Sequence, residues 1–188
     1  MRKFTNIRSN MRLFIRSNIL HRPIHPITPA EGEMLHDLIV KHGLKKGLEF
    51  GTGEGVSSVW FGRAMQKTGG MLTTIEADRR LCKQAEELFK KEGLAKVIEV
   101  WRGNAFDFPA LDKGPFDFIF LDAEKEDYAP LFRMSLPRLA PGGLFSAHNT
   151  ANLKSHLKEF LSLIQSNPGL STQFYGSKAG VSLTFKNT

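Results

Sequence analysis

The sequence predicts one doubly wound α/β domain, with helices on both faces of a largely parallel sheet. From residue 47 to residue 166, short apolar segments rich in β-branched and aromatic residues alternate with longer segments of helical periodicity. The short segments are mostly apolar along their whole length, which is typical of strands that are buried on both faces. Parallel strands joined by helices need right-handed crossovers, so the alternation indicates a doubly wound sheet.

Length and composition are those of a single globular domain. The chain has 188 residues, of which 41% are hydrophobic and 24% are charged. This length allows a substantial core. No apolar run approaches the roughly 20 residues that a membrane span needs. The single cysteine, Cys82, excludes an internal disulfide framework and a C-x-x-C metal site, and it favours a reducing compartment such as the cytoplasm.

The net charge of +7 belongs to the start of the chain. Residues 1–30 contain six basic residues and no acidic one, whereas the remaining residues contain 20 basic and 19 acidic ones. We therefore divide the chain into a basic N-terminal arm and linker, residues 1–27, and a folded domain, residues 28–188. The division is an expectation from charge and proline content.

The N-terminal arm has three interpretations. Its apolar residues recur at helical spacing, so it could pack as a helix on the domain or on a partner subunit, which would make the protein a homodimer. An Arg-rich, acid-free segment over residues 1–22 also suits a mitochondrial presequence, the alternative to a cytoplasmic location. Finally, a basic surface could meet an anionic substrate, nucleic acid or a membrane surface.

The first helix of the domain has a clear start signal. Thr28 can cap a helix that begins near Pro29, because Glu31 stands three residues after the cap and completes a capping box. That helix should end near Gly43. Strands are then predicted at 47–50, 71–76, 97–101, 116–121 and 144–147, and helices at about 56–67, 79–92, 126–139 and 152–166.

The alternation stops after the last of these helices. Two strand-like segments, residues 170–175 and 181–186, are separated only by Gly-Ser-Lys-Ala-Gly, which is a hairpin-length connection. The sheet should therefore end with one antiparallel strand.

A glycine-rich turn follows the first strand. Gly51, Gly53 and Gly55 come between a strand and a helix, so the backbone can turn sharply and approach a ligand at a helix N-terminus. A dinucleotide fingerprint would read G-x-G-x-x-G, but here Val56 holds the last position and the third glycine comes one residue early. Glu76 closes the next strand, where its carboxylate could hold ribose hydroxyls. Together these features indicate a nucleoside cofactor and disfavour a pyrophosphate.

Five segments, taken in order, resemble the class I S-adenosylmethionine-dependent methyltransferases, and among them the catechol and caffeoyl-CoA O-methyltransferases. They are residues 48–58, 74–78, 103–105, 116–128 and 141–144. Most of them fall at the carboxyl ends of predicted strands, the edge where open α/β sheets bind ligands. The resemblance implies a Rossmann-like sheet of seven strands in the order 3-2-1-4-5-7-6, with strand 7 antiparallel.

The resemblance also implies a set of residues that bind S-adenosylmethionine. Glu76 would accept hydrogen bonds from both ribose hydroxyls. Asn104 and Ala105 would border the adenine. The methionine part would be lined by Glu49, Gly51, Gly53 and Ser57, and the remaining contacts expected with the cofactor are those of Thr52, Ala77 and Asp122.

In the resembled O-methyltransferases a divalent cation holds the substrate oxygens. Its ligands are an aspartate after the fourth strand and an Asp-Asn pair after the fifth, and a lysine three residues beyond the first aspartate is the proposed base. Asp122 and Lys125 match this pattern. After the fifth strand, however, the chain reads His148-Asn149, so an imidazole takes the place of a carboxylate.

This departure leaves several mechanisms open. Asp122, His148 and Asn149 could bind a softer transition metal, since imidazole suits Zn²⁺, Mn²⁺ or Fe²⁺ better than Mg²⁺. Alternatively, no metal is bound and His148 or Lys125 acts as the general base. His148 could also form no more than a hydrogen bond at a strand end, and Lys125 could be a charge-paired surface lysine.

The function implied is the transfer of a methyl group from S-adenosylmethionine to a hydroxyl of a small molecule. The cofactor brings the electrophile, so the protein must align the acceptor and deal with its proton. One alternative is an RNA or protein methyltransferase that docks through the N-terminal arm. An NAD-dependent oxidoreductase is disfavoured by the glycine spacing. The last alternative is a cofactor-binding domain without catalysis.

Overall fold

The computed structural model describes residues 26–107 and 114–188 and contains a seven-stranded mixed sheet. The strand order is β3-β2-β1-β4-β5-β7-β6, and β7 runs antiparallel to both β5 and β6. The fold expected from the sequence is therefore confirmed. The strands are β1 Lys46–Phe50, β2 Met71–Glu76, β3 Ile98–Arg102, β4 Phe116–Leu121, β5 Leu139–His148, β6 Leu170–Tyr175 and β7 Val181–Lys186.

Five α-helices of the described residues surround this sheet. They are α1 Pro29–Lys41, α2 Val56–Thr68, α3 Arg79–Lys91, α4 Tyr128–Ser135 and α5 Lys158–Ser166. The capping box predicted for α1 is present, since the Thr28 and Glu31 side chains each bind the backbone N–H of the other residue.

The core consists of two apolar layers, one on each face of the sheet. Along β4, Phe118 and Phe120 point to the side of α1, α2 and α3, whereas Ile119 and Leu121 point to the side of α4 and α5. The ring of Phe61 in α2 packs edge-on against Phe118 at 5.0 Å between centroids. Burial on both faces explains why β4 is apolar from Phe118 to Leu121.

Two predicted helices are shorter in the structure. The helix expected at 126–139 is α4 flanked by two 3-10 turns, Lys125–Asp127 and Leu136–Arg138, the second of which contains Pro137. The helix expected at 152–166 begins only at Lys158.

Tertiary hydrogen bonds explain the second difference. The backbone N–H groups of Ala151 and Asn152 bind the carbonyl oxygen of Ala179 in the β6–β7 loop, at 2.8 and 3.1 Å. The chain after β5 is thereby held against that loop, and residues 151–156 form turns before α5 begins. The β6–β7 loop thus covers the carboxyl end of β5.

No helix in residues 26–107 and 114–188 is long and apolar enough to cross a membrane. The N-terminal arm, apart from its last two residues, lies outside the described residues. The interpretations of the arm as a homodimer contact, a presequence or a docking surface therefore remain predictions.

Candidate active site

The candidate site lies where β1, β2, β4 and β5 end side by side at the carboxyl edge of the sheet. β1 is parallel to β2 and to β4, and β5 extends the sheet on the far side of β4. This register brings together residues that are far apart in sequence, namely the glycine turn after β1, Glu76, Asp122 and His148. The structure thus places the predicted site residues at one edge of the sheet.

The glycine turn passes directly over the end of β4. Gly51 has a φ of +94°, and a β-carbon on it would lie 2.2 Å from the carbonyl oxygen of Asp122. The backbone N–H of Asp122 in turn binds the carbonyl oxygen of Phe50 at 3.0 Å. Only glycine permits both this conformation and this approach, so Gly51 determines how closely the two strand ends meet.

Glu76 is held at the rim by backbone groups. Its Oε1 accepts hydrogen bonds from the N–H groups of Ala77 and Asp78 at 2.8 and 2.9 Å, and its Oε2 accepts one from Gly53 at 3.0 Å. Burial raises the pKa of Glu76, and the three N–H groups partly offset that effect. These three bonds leave Oε2 with acceptor capacity for a ligand hydroxyl, which is what the predicted ribose contact requires.

Glu49 lies behind the glycine turn. It is fully buried and accepts hydrogen bonds from the hydroxyls of Ser57 at 2.5 Å, Thr74 at 2.7 Å and Ser58. Burial raises the pKa of Glu49 to about 7 despite these donors. In this structure the carboxylate therefore ties β1 and β2 to the start of α2, and the Ser57 hydroxyl points towards it.

The predicted adenine side lies beyond Glu76. The backbone N–H of Gly103 binds the Glu76 carbonyl oxygen at 2.9 Å, which places the turn after β3 beside the rim. Asn104 stabilises this turn, because its side-chain oxygen accepts a hydrogen bond from the N–H of Phe106 at 3.0 Å. Ala105 packs against the core.

Asp122 is the centre of the second half of the site. Its Oδ1 accepts hydrogen bonds from Lys125 Nζ at 2.8 Å and Tyr128 Oη at 3.3 Å, and its Oδ2 lies 3.0 Å from Nδ1 of His148. Burial alone would raise the pKa of Asp122, but the His148 hydrogen bond and the Lys125 charge outweigh it, so the pKa is lowered. Asp122 is therefore a carboxylate at neutral pH.

Lys125 donates to three acceptors at once. Besides Asp122, its Nζ binds the Ala123 carbonyl oxygen at 3.1 Å and the Tyr128 hydroxyl at 2.7 Å. The Tyr128 hydroxyl also lies 3.2 Å from the His148 carbonyl oxygen. Burial raises the pKa of Tyr128 well above its usual value, so the phenol is neutral and has one hydrogen to donate.

His148 is enclosed between two carboxylates. Its side chain is 1% exposed, with Nδ1 on Asp122 and Nε2 at 3.5 Å from Oε2 of Glu31. Glu31 is itself buried and accepts hydrogen bonds from Thr28 and from the hydroxyl of Ser177. Burial would raise the pKa of Glu31, but these donors and His148 lower it.

The sequence did not predict that Glu31 belongs to this site. Its position three residues after Thr28 is fully explained by the capping box, so no signal in the sequence pointed to a second role. The contact with His148 depends on how α1 lies across the end of β5, and that is a tertiary feature.

The predicted metal ligands Asp122 and His148 contact protein groups in this arrangement. Both oxygens of Asp122 are bound by protein donors, and both ring nitrogens of His148 face carboxylates. Asn149 is buried in a left-handed conformation with φ of 61°. Within residues 26–107 and 114–188, no three His, Cys, Asp or Glu side chains are grouped so as to hold a metal ion.

The fold and the site define a class of protein: a doubly wound α/β domain in which a glycine turn, Glu76 and Asp122 meet at the carboxyl edge of the sheet. Comparison with known proteins identifies the family. The sequence profile described as "Methyltransferase domain" matches residues 48–150, so the chain belongs to this methyltransferase family.

Named relatives agree with this family. A catechol O-methyltransferase of Niastella koreensis is 34% identical over 131 residues, which are 68% of this chain and 59% of that protein. The chain thus spans less than two thirds of the length of that curated relative.

Solved structures are similar over nearly the whole chain. An O-methyltransferase from Bacillus cereus in complex with S-adenosylhomocysteine (SAH) has a TM-score of 0.80 and 26% identity, with 98% of this chain and 92% of that one covered. A structure described as a putative caffeoyl-CoA O-methyltransferase from Staphylococcus aureus has a TM-score of 0.76 and 24% identity, with 95% and 91% covered, and supports the fold alone.

Proposed function

We propose that this protein is an S-adenosylmethionine-dependent O-methyltransferase that acts on a hydroxyl of a small molecule. The observation that carries the proposal is the pairing of Glu76 with Gly53, 3.0 Å apart at the carboxyl edge of the sheet. It places a carboxylate with spare acceptor capacity beside a turn that a ligand can approach closely. The O-methyltransferase relatives and the SAH complex of the Bacillus cereus enzyme support the same conclusion.

The positions of the predicted residues support the following cofactor contacts. Glu76 binds the ribose, Asn104 and Ala105 border the adenine, and Asp122 attracts the positively charged amino group of the methionine part. Glu49 acts from behind the crevice by holding Ser57 and the start of α2 in place. The backbone of the turn completes the set through Gly51, Thr52, Gly53 and Ala77.

In the reaction, the acceptor oxygen attacks the methyl carbon in line with the departing sulfur. A C–O bond forms, the C–S bond breaks, the sulfonium becomes the neutral thioether of SAH, and the acceptor hydroxyl loses its proton. The candidates are Lys125 and His148: as an ammonium that donates three hydrogen bonds, Lys125 stabilises the resulting oxygen charge, and it receives the proton only after it has given up one of its own, whereas a neutral His148 can receive the proton directly. Lys125 is the better placed, because its side chain is 20% exposed and that of His148 is 1% exposed.

We infer the location of the protein from Cys82 and its assembly from the N-terminal arm. The buried free thiol of Cys82 suits the reducing cytoplasm. A homodimer through the N-terminal arm stays a prediction. An RNA or protein acceptor would need the arm as a docking element, and no described residue favours it over a small molecule.

Calorimetric titration with SAH and with NAD tests the proposal. We expect SAH to bind and NAD not to bind. Replacing the ribose carboxylate in Glu76→Ala should weaken SAH binding by about 10- to 100-fold, since a hydrogen bond to a charged group is worth roughly 1.5–3 kcal/mol. The matched control is Glu87→Ala, an exposed glutamate on α3. Binding of NAD in place of SAH would overturn the proposal.

Catalysis needs a separate assay. Protein and methyl-labelled S-adenosylmethionine should transfer label to at least one member of a panel of phenols and alcohols. If SAH binds but no acceptor is labelled, including RNA and protein acceptors, the chain is a cofactor-binding domain without catalysis.

A further inference from the structure

Four parts of the fold converge on the imidazole of His148. It stands at the end of β5, Asp122 follows β4, Glu31 comes from α1, and Ser177 belongs to the β6–β7 loop. Ser177 donates from its hydroxyl to Glu31 and accepts at that hydroxyl from the N–H of Gly180 at 2.8 Å. The start of α1 and the β6–β7 loop are therefore joined by a hydrogen bond next to Nε2 of His148.

Both carboxylates at this point are satisfied by protein groups. Glu31 receives the N–H and the hydroxyl of Thr28 at 2.7 and 2.9 Å, and the hydroxyl of Ser177. Asp122 receives Lys125, Tyr128 and His148. A buried carboxylate needs such compensation, and here the chain supplies it in full.

The direction of the His148–Asp122 bond follows from chemistry. A carboxylate only accepts hydrogen bonds, so Nδ1 of His148 carries the hydrogen that lies between them. A cation at Asp122 Oδ2 or at Nδ1 would have to break this bond. A cation at Nε2 would find only Glu31 as a second His, Cys, Asp or Glu ligand among the described residues, whereas sites for Zn²⁺, a metal that imidazole suits, use three or four protein ligands.

We propose that His148, bound to Asp122 through Nδ1 and facing Glu31 with Nε2, which has no hydrogen-bond partner among the described residues, takes the place of a divalent cation in this site, so that methyl transfer here needs no metal and Glu31 is a positioning residue. The proposal rests on the proposed methyltransferase function. It also narrows the acceptor class: without a cation to chelate two oxygens, one isolated hydroxyl suffices and a vicinal pair brings no advantage.

The metal part is tested without any acceptor. Protein purified without chelators is analysed for bound metals by mass spectrometry and titrated with Mn²⁺ under electron paramagnetic resonance. We expect less than one tenth of a metal ion per chain and no loss of the free Mn²⁺ signal. The His148→Asp variant, which supplies a second carboxylate next to Asn149, should gain Mn²⁺ binding. Stoichiometric metal in the wild type, or Mn²⁺ binding that Asp122→Asn abolishes, would overturn the proposal.

The role of Glu31 is tested by Glu31→Gln. Glutamine also completes a capping box, so α1 should keep its start, which circular dichroism and thermal unfolding check. We expect the ¹⁵N resonances of the His148 ring, assigned with a His148→Gln variant, to shift and kcat to fall about tenfold with SAH affinity unchanged. Glu33→Gln, an exposed neighbour on the same helix, is the matched control. Unchanged His148 resonances in Glu31→Gln would show that Glu31 only caps the helix.

The two proposals fail in different ways. If the wild-type protein does not bind SAH, the methyltransferase function is contradicted. The Mn²⁺ and NMR measurements need neither cofactor nor acceptor, so they test the metal-free mechanism separately. Activity that disappears in a chelator and returns with added Mg²⁺, Mn²⁺ or Zn²⁺ contradicts only the metal-free mechanism.

Discussion

Gly51 faces the backbone carbonyl of Asp122 so closely that a methyl group on it would lie 2.2 Å from the oxygen. The two residues directly follow β1 and β4, which are neighbouring parallel strands, and their contact sets how closely the glycine turn approaches Asp122. A side chain at position 51 must push these strand ends apart.

Gly51→Ala should therefore reduce both stability and cofactor binding. The left-handed φ costs roughly 1–2 kcal/mol for a residue with a β-carbon, and the contact with backbone adds about 1–3 kcal/mol because the oxygen cannot rotate away. Urea unfolding and SAH titration measure the two effects. Gly43→Ala is the matched control, since Gly43 has a φ of +61° but nothing within 4 Å of a β-carbon. Equal losses in both variants would refute the importance of the Asp122 contact.

Glu49 should make the protein less stable as the pH rises towards neutrality. Burial raises the pKa of Glu49 from 4.5 to about 7, so between these values the folded state binds more protons than the unfolded state. Its contribution to stability is complete below about pH 4.5 and is lost as the pH rises to about 7, for a total on the order of 3 kcal/mol.

The test compares unfolding free energies at pH 5 and pH 8 in the wild type and in Glu49→Gln. The neutral amide removes the titration, so the decrease between the two pH values should be smaller in the variant by about 2–3 kcal/mol. The pKa values of Asp122 and Glu31 are lowered, so their titration changes the unfolding free energy only at more acidic pH. The same decrease in both proteins would mean that Glu49 ionises normally.

Tyr128→Phe should destabilise the fold and remove one of the three hydrogen-bond acceptors of Lys125. The hydroxyl accepts from Lys125 at 2.7 Å and lies within reach of Asp122 and the His148 carbonyl, while the ring packs edge-on against Phe160. Phenylalanine keeps the packing and removes the polar contacts, at a cost of about 1.5–3 kcal/mol because one partner is charged. Tyr175→Phe alters the only other tyrosine and should cost less than about 0.5 kcal/mol in the same denaturation experiment.

Cys82 should react slowly with thiol reagents in the folded protein. Burial, together with the nearby Glu76 charge, raises the pKa of Cys82 to about 11, so the thiolate that reacts is scarce at pH 8. Because it is the only cysteine, the absorbance of a chromogenic disulfide reagent reports it alone. The reaction should accelerate at least tenfold in urea. Equally fast labelling of native and unfolded protein would show that the thiol is accessible.

The sequence by itself determined the order of the elements, the parallel sheet with one antiparallel strand, and the edge at which the site lies. These follow from local patterns: apolar strands, glycine at a sharp turn, and the hairpin-length loop before β7. The positions of Glu76, Asp122 and His148 at strand ends were predictable for the same reason, because parallel strands end at one edge.

Only the tertiary structure decided what these side chains contact. The sequence could not show that Glu49 is satisfied by three hydroxyls behind the turn, or that Ala151 and Asn152 bind the β6–β7 loop and a helix begins only after them. It also did not predict that Glu31 lies beside Nε2 of His148. The physical reason is that contacts between separate elements, such as the Ser177–Glu31 hydrogen bond across 146 positions, depend on how whole elements pack, and no local periodicity records that packing.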